Sequence, residues 1–153
     1  MVRKANLKDV QPIFEIVESF SKKGIMLNRP VAEIYDNLRD FFVYEEDGSV
    51  AGLSALHVCG PDLGEIRSLA VRGDFTKKGI GKALVRACLE DARALGVKRV
   101  FALTYKVSFF EKLGFQIVDK MVLPQKIWGD CLKCAKFPGC DETAVIIELN
   151  EQA

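Results

Sequence analysis

The residues best equipped for chemistry fall in two short stretches of this 153-residue chain. The first is Lys77-Lys78-Gly79-Ile80-Gly81-Lys82, at the head of a strongly helical segment. Two glycines let a backbone approach a ligand closely, and the N–H groups at a helix start carry the positive end of its dipole. The lysines add charge: residues 72–99 hold eight basic and three acidic side chains. Such a turn can hold a phosphate. It lacks the four-residue gap and Gly-Lys-Ser/Thr ending of a Walker A loop, and it lacks the Gly-x-Gly-x-x-Gly of a dinucleotide site. A solvated basic helix face has the same spacing, so the residues alone leave both readings open. The second stretch is Cys131-x2-Cys134-x5-Cys140. Three thiolates fall one ligand short of a structural zinc site, and His57, Cys59 or Asp141 would have to complete it. Unmetallated thiols are the first reading here and no metal is assigned; zinc, a disulfide and a redox switch stay as alternatives.

The elements that must position these residues follow from apolar spacing. Residues 2–5 read as a strand. Asn6 offers a capping oxygen with Asp9 three residues on, and Val10, Ile13, Phe14, Val17 and Phe20 then recur at helical spacing up to Gly24. Pro30 suits the first turn of a second helix whose stripe is Val31, Ile34, Tyr35 and Leu38. Residues 41–45, 50–59 and 64–71 read as three strands joined by the tight turns Glu46-Asp47-Gly48-Ser49 and Gly60-Pro61-Asp62, an antiparallel meander. Residues 79–95 form the strongest helix, with Ile80, Ala83, Leu84, Ala87, Cys88, Ala92 and Leu95 on one side and Gly96 as its stop. A strand at 99–104 then implies a parallel crossover. Ser108 and Glu111 have capping-box spacing for a short helix closed by Gly114, and residues 115–118 and 143–149 read as the last strands. His57 alternates within the third strand and reads equally as a packed residue.

Composition bounds the partners. The net charge is +1, with 49% hydrophobic and 28% charged residues, which fits one soluble globular domain over residues 1–153. A nucleic-acid-binding domain would be more basic, and no apolar run is long enough to span a bilayer. The start, MVRKAN, does not read as a signal peptide. Five cysteines at this density suggest a reducing compartment, so a cytoplasmic protein is expected.

Three motifs in order carry a family resemblance. They are Ile66-Arg67-Ser68-Leu69-Ala70-Val71, then Thr76-Lys77-Lys78-Gly79-Ile80-Gly81, then Ser108-Phe109-Phe110-Glu111-Lys112-Leu113-Gly114-Phe115. They resemble the fourth strand, the Arg/Gln-x-x-Gly-x-Gly/Ala turn and the "FYEKxGF" segment of the GNAT superfamily of acetyl-CoA-dependent N-acetyltransferases. Thr76 stands where that family has Arg or Gln, and Phe110 where it commonly has Tyr. The element order matches along nearly the whole chain. Met26-Leu27-Asn28-Arg29-Pro30, residues 37–43, Gly64-Glu65 and Leu103-Thr104-Tyr105 narrow the likeness to the acetyltransferase part of the N-acetylglutamate synthases, in a short form without their kinase-like domain. The likeness weakens after Pro124.

The resemblance implies an α/β (α+β) GNAT fold, a mixed and mostly antiparallel sheet flanked by helices. It implies acetyl-CoA as cosubstrate, held by main-chain groups of Leu69, Ala70 and Val71 beside a strand bulge, by the turn Lys77, Lys78, Gly79, Ile80, Gly81 and Lys82, and by Phe109. It implies Glu65 as the base that deprotonates the acceptor amine; without it, Glu65 reads as a strand-edge carboxylate paired with Arg67 or a lysine. With no tyrosine at Phe110, Thr104 and Tyr105 become the candidates to protonate the leaving thiolate. Arg29 and Ser68 would bind the acceptor, with Arg29 clamping a carboxylate bidentately. Lys126, Lys133 and Lys136 could stand in for arginines that longer relatives carry. The activity implied is acetylation of the α-amino group of an amino acid, with L-glutamate favoured, as in arginine biosynthesis. The alternatives are another small amine or a protein N-terminus as acceptor, or an acyl-CoA-binding sensor without turnover. The partner is thus a small-molecule amine rather than nucleic acid or membrane, and a homodimer, common in the superfamily, is carried with it.

Overall fold

The computed structural model describes residues 1–73, 79–123 and 142–149. In chain order these form β1 (Val2–Lys4), a 3-10 turn (Leu7–Asp9) leading into α1 (Val10–Lys22), α2 (Val31–Asp36), β2 (Phe41–Glu46), β3 (Ser49–Val58), β4 (Leu63–Val71), α3 (Ile80–Leu95), β5 (Arg99–Thr104), α4 (Val107–Glu111), β6 (Gln116–Val118) and β7 (Thr143–Glu148). The hydrogen-bonded strand order is β1-β2-β3-β4-β5-β7-β6. Pairs β1–β2, β2–β3, β5–β7 and β6–β7 are antiparallel, while β4–β5 is parallel, the crossover expected from a strand–helix–strand sequence.

Local chemistry explains most boundaries. Asn6 Oδ1 accepts from the Lys8 N–H at 3.0 Å, and the Asp9 carboxylate accepts from the Asn6 N–H at 2.8 Å, the reciprocal cap that the sequence spacing predicts. Asp47 and Gly48 both adopt left-handed φ, 53° and 77°, and Glu46 pairs with Ser49 across them. That is the two-residue hairpin an Asp-Gly pair favours. Helix α3 ends as expected at Gly96, where the Val97 N–H reaches back to the Ala92 carbonyl at 2.9 Å.

Three expectations shift. Helix α2 stops at Asp36, and Leu38 begins a separate 3-10 turn, Leu38–Asp40. The Asn37 side chain donates to the Glu33 carbonyl at 2.9 Å, which also accepts the Asn37 N–H at 3.1 Å, so Asn37 closes the last turn with both groups. Pro30 precedes that helix as its extended cap rather than lying in its first turn. Ser108 does not cap α4: the helix starts one residue earlier, at Val107, and Ser108 lies exposed inside it. The Thr104 hydroxyl instead organises that turn, accepting from the Lys106 N–H at 2.7 Å.

Two compact units contain these elements. One comprises Met1–His57 with Ile66–Asp91, the other Val58–Glu65 with Ala92–Ala153. In the first, Val10, Ile13, Val17, Ile34, Val43, Leu53 and Ala70 form the core. Gly52 is required there, because a Cβ would lie 2.9 Å from the Ala70 carbonyl and 3.2 Å from Ile80 and Leu84. In the second, Phe101, Leu123 and Ala144 are the buried centre, with Cys59, Leu63, Leu103, Val118 and Ile146 against them.

Candidate active site

Strand β4 carries the largest share of the candidate residues. Its first three residues pair in parallel with β5, Glu65 opposite Phe101. Glu65 is buried, 4% exposed, although it is a carboxylate. Three residues further, Ser68 holds φ at 57° in mid-strand. A non-glycine residue there costs about 1–2 kcal/mol, so the surroundings enforce this break in the extended backbone. The bulge that the resemblance implies beside Leu69 and Val71 would lie next to this residue. Leu69 and Val71 beyond it are half-buried, and Ala70 is buried with its carbonyl against Gly52.

At the head of α3, Gly79 has φ at 73° and its carbonyl accepts from the Ala83 N–H at 3.1 Å. No atom lies within 4 Å of where its Cβ would be, so this backbone is open to close approach. Ile80 is buried at 1% exposed, which leaves its main chain alone to face a ligand. Gly81 is half-buried and Lys82 exposed. Lys77 and Lys78, with Thr76, lie outside the described residues.

Arg29 and Ser68 are brought together. Both line a pocket with Glu33, Asn37, Asp40 and Arg67. The Arg29 side chain is 9% exposed, and its Nη1 lies 3.1 Å from Glu33 Oε1, one helical turn on. Arg67, Glu33 and Asp40 are pocket residues that the sequence reading did not select. Arg67 had a signal, since it stands two residues after Glu65 on the same strand. Asp40 lies in the segment 37–43 that narrows the likeness, but its spacing did not place it in a pocket, because only folding brings it there. Its Oδ2 lies 2.9 Å from His57 Nδ1, so His57 is a hydrogen-bonded partner of a pocket carboxylate.

The remaining candidates belong to the second unit. Thr104 is buried with its hydroxyl accepting from Lys106, and Tyr105 next to it is 39% exposed. Phe110 is 3% exposed and makes edge contacts with Phe109 and Phe115 at ring separations of 5.1 and 5.0 Å. The position where the resemblance implies a tyrosine hydroxyl is thus filled by an aromatic packing residue.

Cys88 is fully buried on α3, with Sγ 3.2 Å from Ser54 Oγ. Burial pushes its thiol up to about 12, outweighing the Ser54 hydrogen bond that draws it down. Cys131, Cys134 and Cys140, like Lys126, Lys133, Lys136 and Asp141, lie outside the described residues. Among the described residues, no group of three or more His, Cys, Asp or Glu side chains is placed to hold a metal, so the zinc reading gains no support. No described helix is long and apolar enough to cross a membrane.

The family model and the relatives that match the chain make it an acyltransferase. The chain belongs to the acetyltransferase (GNAT) family, whose model matches residues 9–115. An uncharacterized N-acetyltransferase of Chlorobaculum tepidum is 43% identical over 145 residues, covering 95% of this chain and 94% of its own length. An amino-acid acetyltransferase of Mycobacterium tuberculosis is 39% identical over 133 residues, covering 85% of this chain and 76% of its own length. Among solved structures, the N-acetylglutamate synthase of Neisseria gonorrhoeae complexed with coenzyme A and N-acetyl-glutamate superposes with a TM-score of 0.88 at 27% identity, over 98% of this chain. This chain spans 35% of that protein's length.

Proposed function

We propose that this protein transfers the acetyl group of acetyl-CoA to the α-amino group of an amino acid, with L-glutamate as the favoured acceptor and arginine biosynthesis as the setting. The observation that carries this reading is Arg29, a guanidinium nearly removed from water that nevertheless lines a pocket with Ser68 and Arg67. Burying a guanidinium is costly unless an anion repays it, and Glu33 supplies one carboxylate at 3.1 Å. The planar fork of a guanidinium matches the geometry of a substrate carboxylate. A second arginine in the same pocket suits an acceptor with two carboxylates.

The chemistry is direct transfer. Acetyl-CoA supplies an activated acyl group; main-chain groups of Leu69, Ala70 and Val71 would line its pantetheine arm, while the turn at 77–82 and Phe109 hold the rest. An α-amino group, with a reference pKa of about 8, is mostly protonated at neutral pH. Glu65 takes that proton, directly or through water, and the freed nitrogen attacks the thioester carbonyl carbon. The C–S bond then breaks, the thiolate leaves as CoA, and the new amide nitrogen gives up its second proton to solvent. With Phe110 unable to donate, Thr104 or Tyr105 returns a proton to sulfur. The Thr104 oxygen accepts from Lys106, which leaves its own hydrogen to donate.

One acceptor screen tests the reading: purified protein, acetyl-CoA, a panel of amino acids, polyamines and peptides, and thiol release as readout. Turnover concentrated on glutamate is expected. Turnover on another amine alone would replace the acceptor, and acetyl-CoA binding without turnover on any acceptor would make the chain an acyl-CoA sensor.

A further inference from the structure

The pocket around Arg29 is not simply cationic. Arg29 and Arg67 line it together with Glu33 and Asp40, so its formal charges balance. A site that took carboxylates alone would gain nothing from acidic side chains, which repel them. Glu33 is accounted for, because its carboxylate lies 3.1 Å from the Arg29 guanidinium. Asp40 is not spent in that way. Among the described residues no ion pair within 4.0 Å joins it to either arginine. Its side chain has one hydrogen-bond partner there, His57, whose Nδ1 lies 2.9 Å from Oδ2. A neutral imidazole can donate from Nδ1, so it orients a carboxylate without cancelling its charge. The other oxygen, Oδ1, makes no hydrogen bond to a described residue.

Asn37 adds to this side of the pocket. It precedes the 3-10 turn that ends at Asp40, and both residues line the pocket. Its side-chain nitrogen donates to the Glu33 carbonyl at 2.9 Å, while its amide oxygen makes no hydrogen bond to a described residue. The pocket thus offers guanidinium donors from two residues and acceptor oxygens, one of them charged, from two others. Carboxylates suit the first set, and a cation with hydrogens to donate suits the second. An α-amino acid carries both, since its amino group is mostly an ammonium at neutral pH. Ser68 lines the same pocket, one residue before the main chain assigned to the pantetheine arm, so an acceptor held here lies beside the strand that carries the acyl donor.

We propose that Asp40 is a specificity-determining residue that binds the α-ammonium group of the arriving acceptor, with His57 positioning its carboxylate and Asn37 supplying a second oxygen. This rests on the acetyl-transfer reading, and proton removal stays with Glu65. Asp40 selects acceptors that carry an ammonium over dicarboxylates that lack one. Calorimetry on protein saturated with CoA, which has no acetyl group and permits no turnover, compares L-glutamate with glutarate, the same dicarboxylate without the amine. Wild type should bind glutamate roughly tenfold or more tighter, the usual worth of a hydrogen bond between charged groups. Asp40→Asn should remove most of that preference by weakening glutamate and leaving glutarate unchanged, and Asp40→Glu, which keeps the charge, should restore part of it. Equal wild-type affinities, a preference unchanged in Asp40→Asn, or a parallel loss of both ligands in the two variants would overturn the role of Asp40 and leave the acceptor reading standing. A wild type that binds neither ligand would overturn the acceptor reading, and the role of Asp40 with it.

Discussion

Arg29, just before α2, and Glu33, in its first turn, face each other with Nη1 and Oε1 at 3.1 Å, inside a pocket that also contains Arg67 and Ser68. The pair holds the guanidinium in place before any ligand arrives, and preorganisation of that kind lowers the cost of binding. Removing the guanidinium by Arg29→Ala should raise the KM for glutamate roughly tenfold to hundredfold, from about 1.5–3 kcal/mol per charge-assisted hydrogen bond. The effect on kcat should be small. Initial-rate kinetics with saturating acetyl-CoA check this, and an unchanged KM would place the acceptor elsewhere.

Glu65→Gln keeps the shape of the side chain and removes its basicity. Near pH 7 the acceptor amine is protonated and needs a base, so kcat should fall by roughly 100-fold or more, the usual contribution of general-base catalysis. As pH rises past the amine's own pKa, of about 8 or above, the base becomes unnecessary. The gap between wild type and variant should then narrow. A constant gap across a pH–rate profile would assign Glu65 a structural role instead.

Ser68 and Gly79 both hold left-handed backbone, at φ 57° and 73°. Their expected responses to substitution are opposite. Ser68→Gly relieves strain and should leave stability unchanged or raise it by up to about 1 kcal/mol, offset by glycine's freedom in the unfolded chain. Gly79→Ala imposes strain without a steric clash, since the space around it is open, and should cost about 1–2 kcal/mol while weakening CoA binding. Urea midpoints and CoA titration read the two quantities separately.

These residues also show how far the sequence could be read. The helices, the Asp47-Gly48 hairpin and the parallel step from β4 to β5 follow from periodicity and turn chemistry, which are local. The glycine turn was visible for the same reason. The pocket around Arg29 was not, because Asp40 and Arg67 reach it through folding, and spacing along a chain does not record which faces meet. The Ser108-to-Glu111 box failed because Thr104 organises that turn instead, four residues earlier and on a strand. The left-handed Ser68 was not legible, as no glycine or asparagine marks it.

Cys88 should be chemically silent in the folded protein. Its thiol is fully buried and held up to about 12, so almost no thiolate exists at neutral pH. Native protein should not label at Cys88 with a maleimide at pH 7.5, whereas protein in denaturant should, as peptide mapping would show. The same shift makes an alkaline prediction. The raised pKa stabilises the fold fully below about 9, its ordinary value. That contribution is lost progressively as pH rises from 9 toward 12, because the unfolded chain ionises and the folded one does not. Cys88→Ser, buried beside Ser54, should flatten that alkaline limb.

At the other end of the pH scale, Asp9 sets the acid limit of the N-terminal segment. Its carboxylate is buried, which by itself would raise its pKa. Two hydrogen bonds from Arg3, at 2.7 and 3.0 Å, and one from the Asn6 N–H outweigh burial and hold it below its ordinary 3.8. A depressed carboxylate stabilises the fold fully above its unfolded pKa. As pH falls below 3.8 the unfolded chain takes up the proton first, and the stabilisation drains away until the folded carboxyl is protonated as well. Thermal melts from pH 6 to pH 2 should therefore show wild type losing Tm below about pH 4. Asp9→Asn should start lower at pH 6, because Arg3 loses its charged partner, and should then lose less on acidification. The two curves should converge at the acid end. Parallel curves would mean that another carboxylate sets the acid limit and that the Arg3–Asp9 pair contributes nothing that titrates.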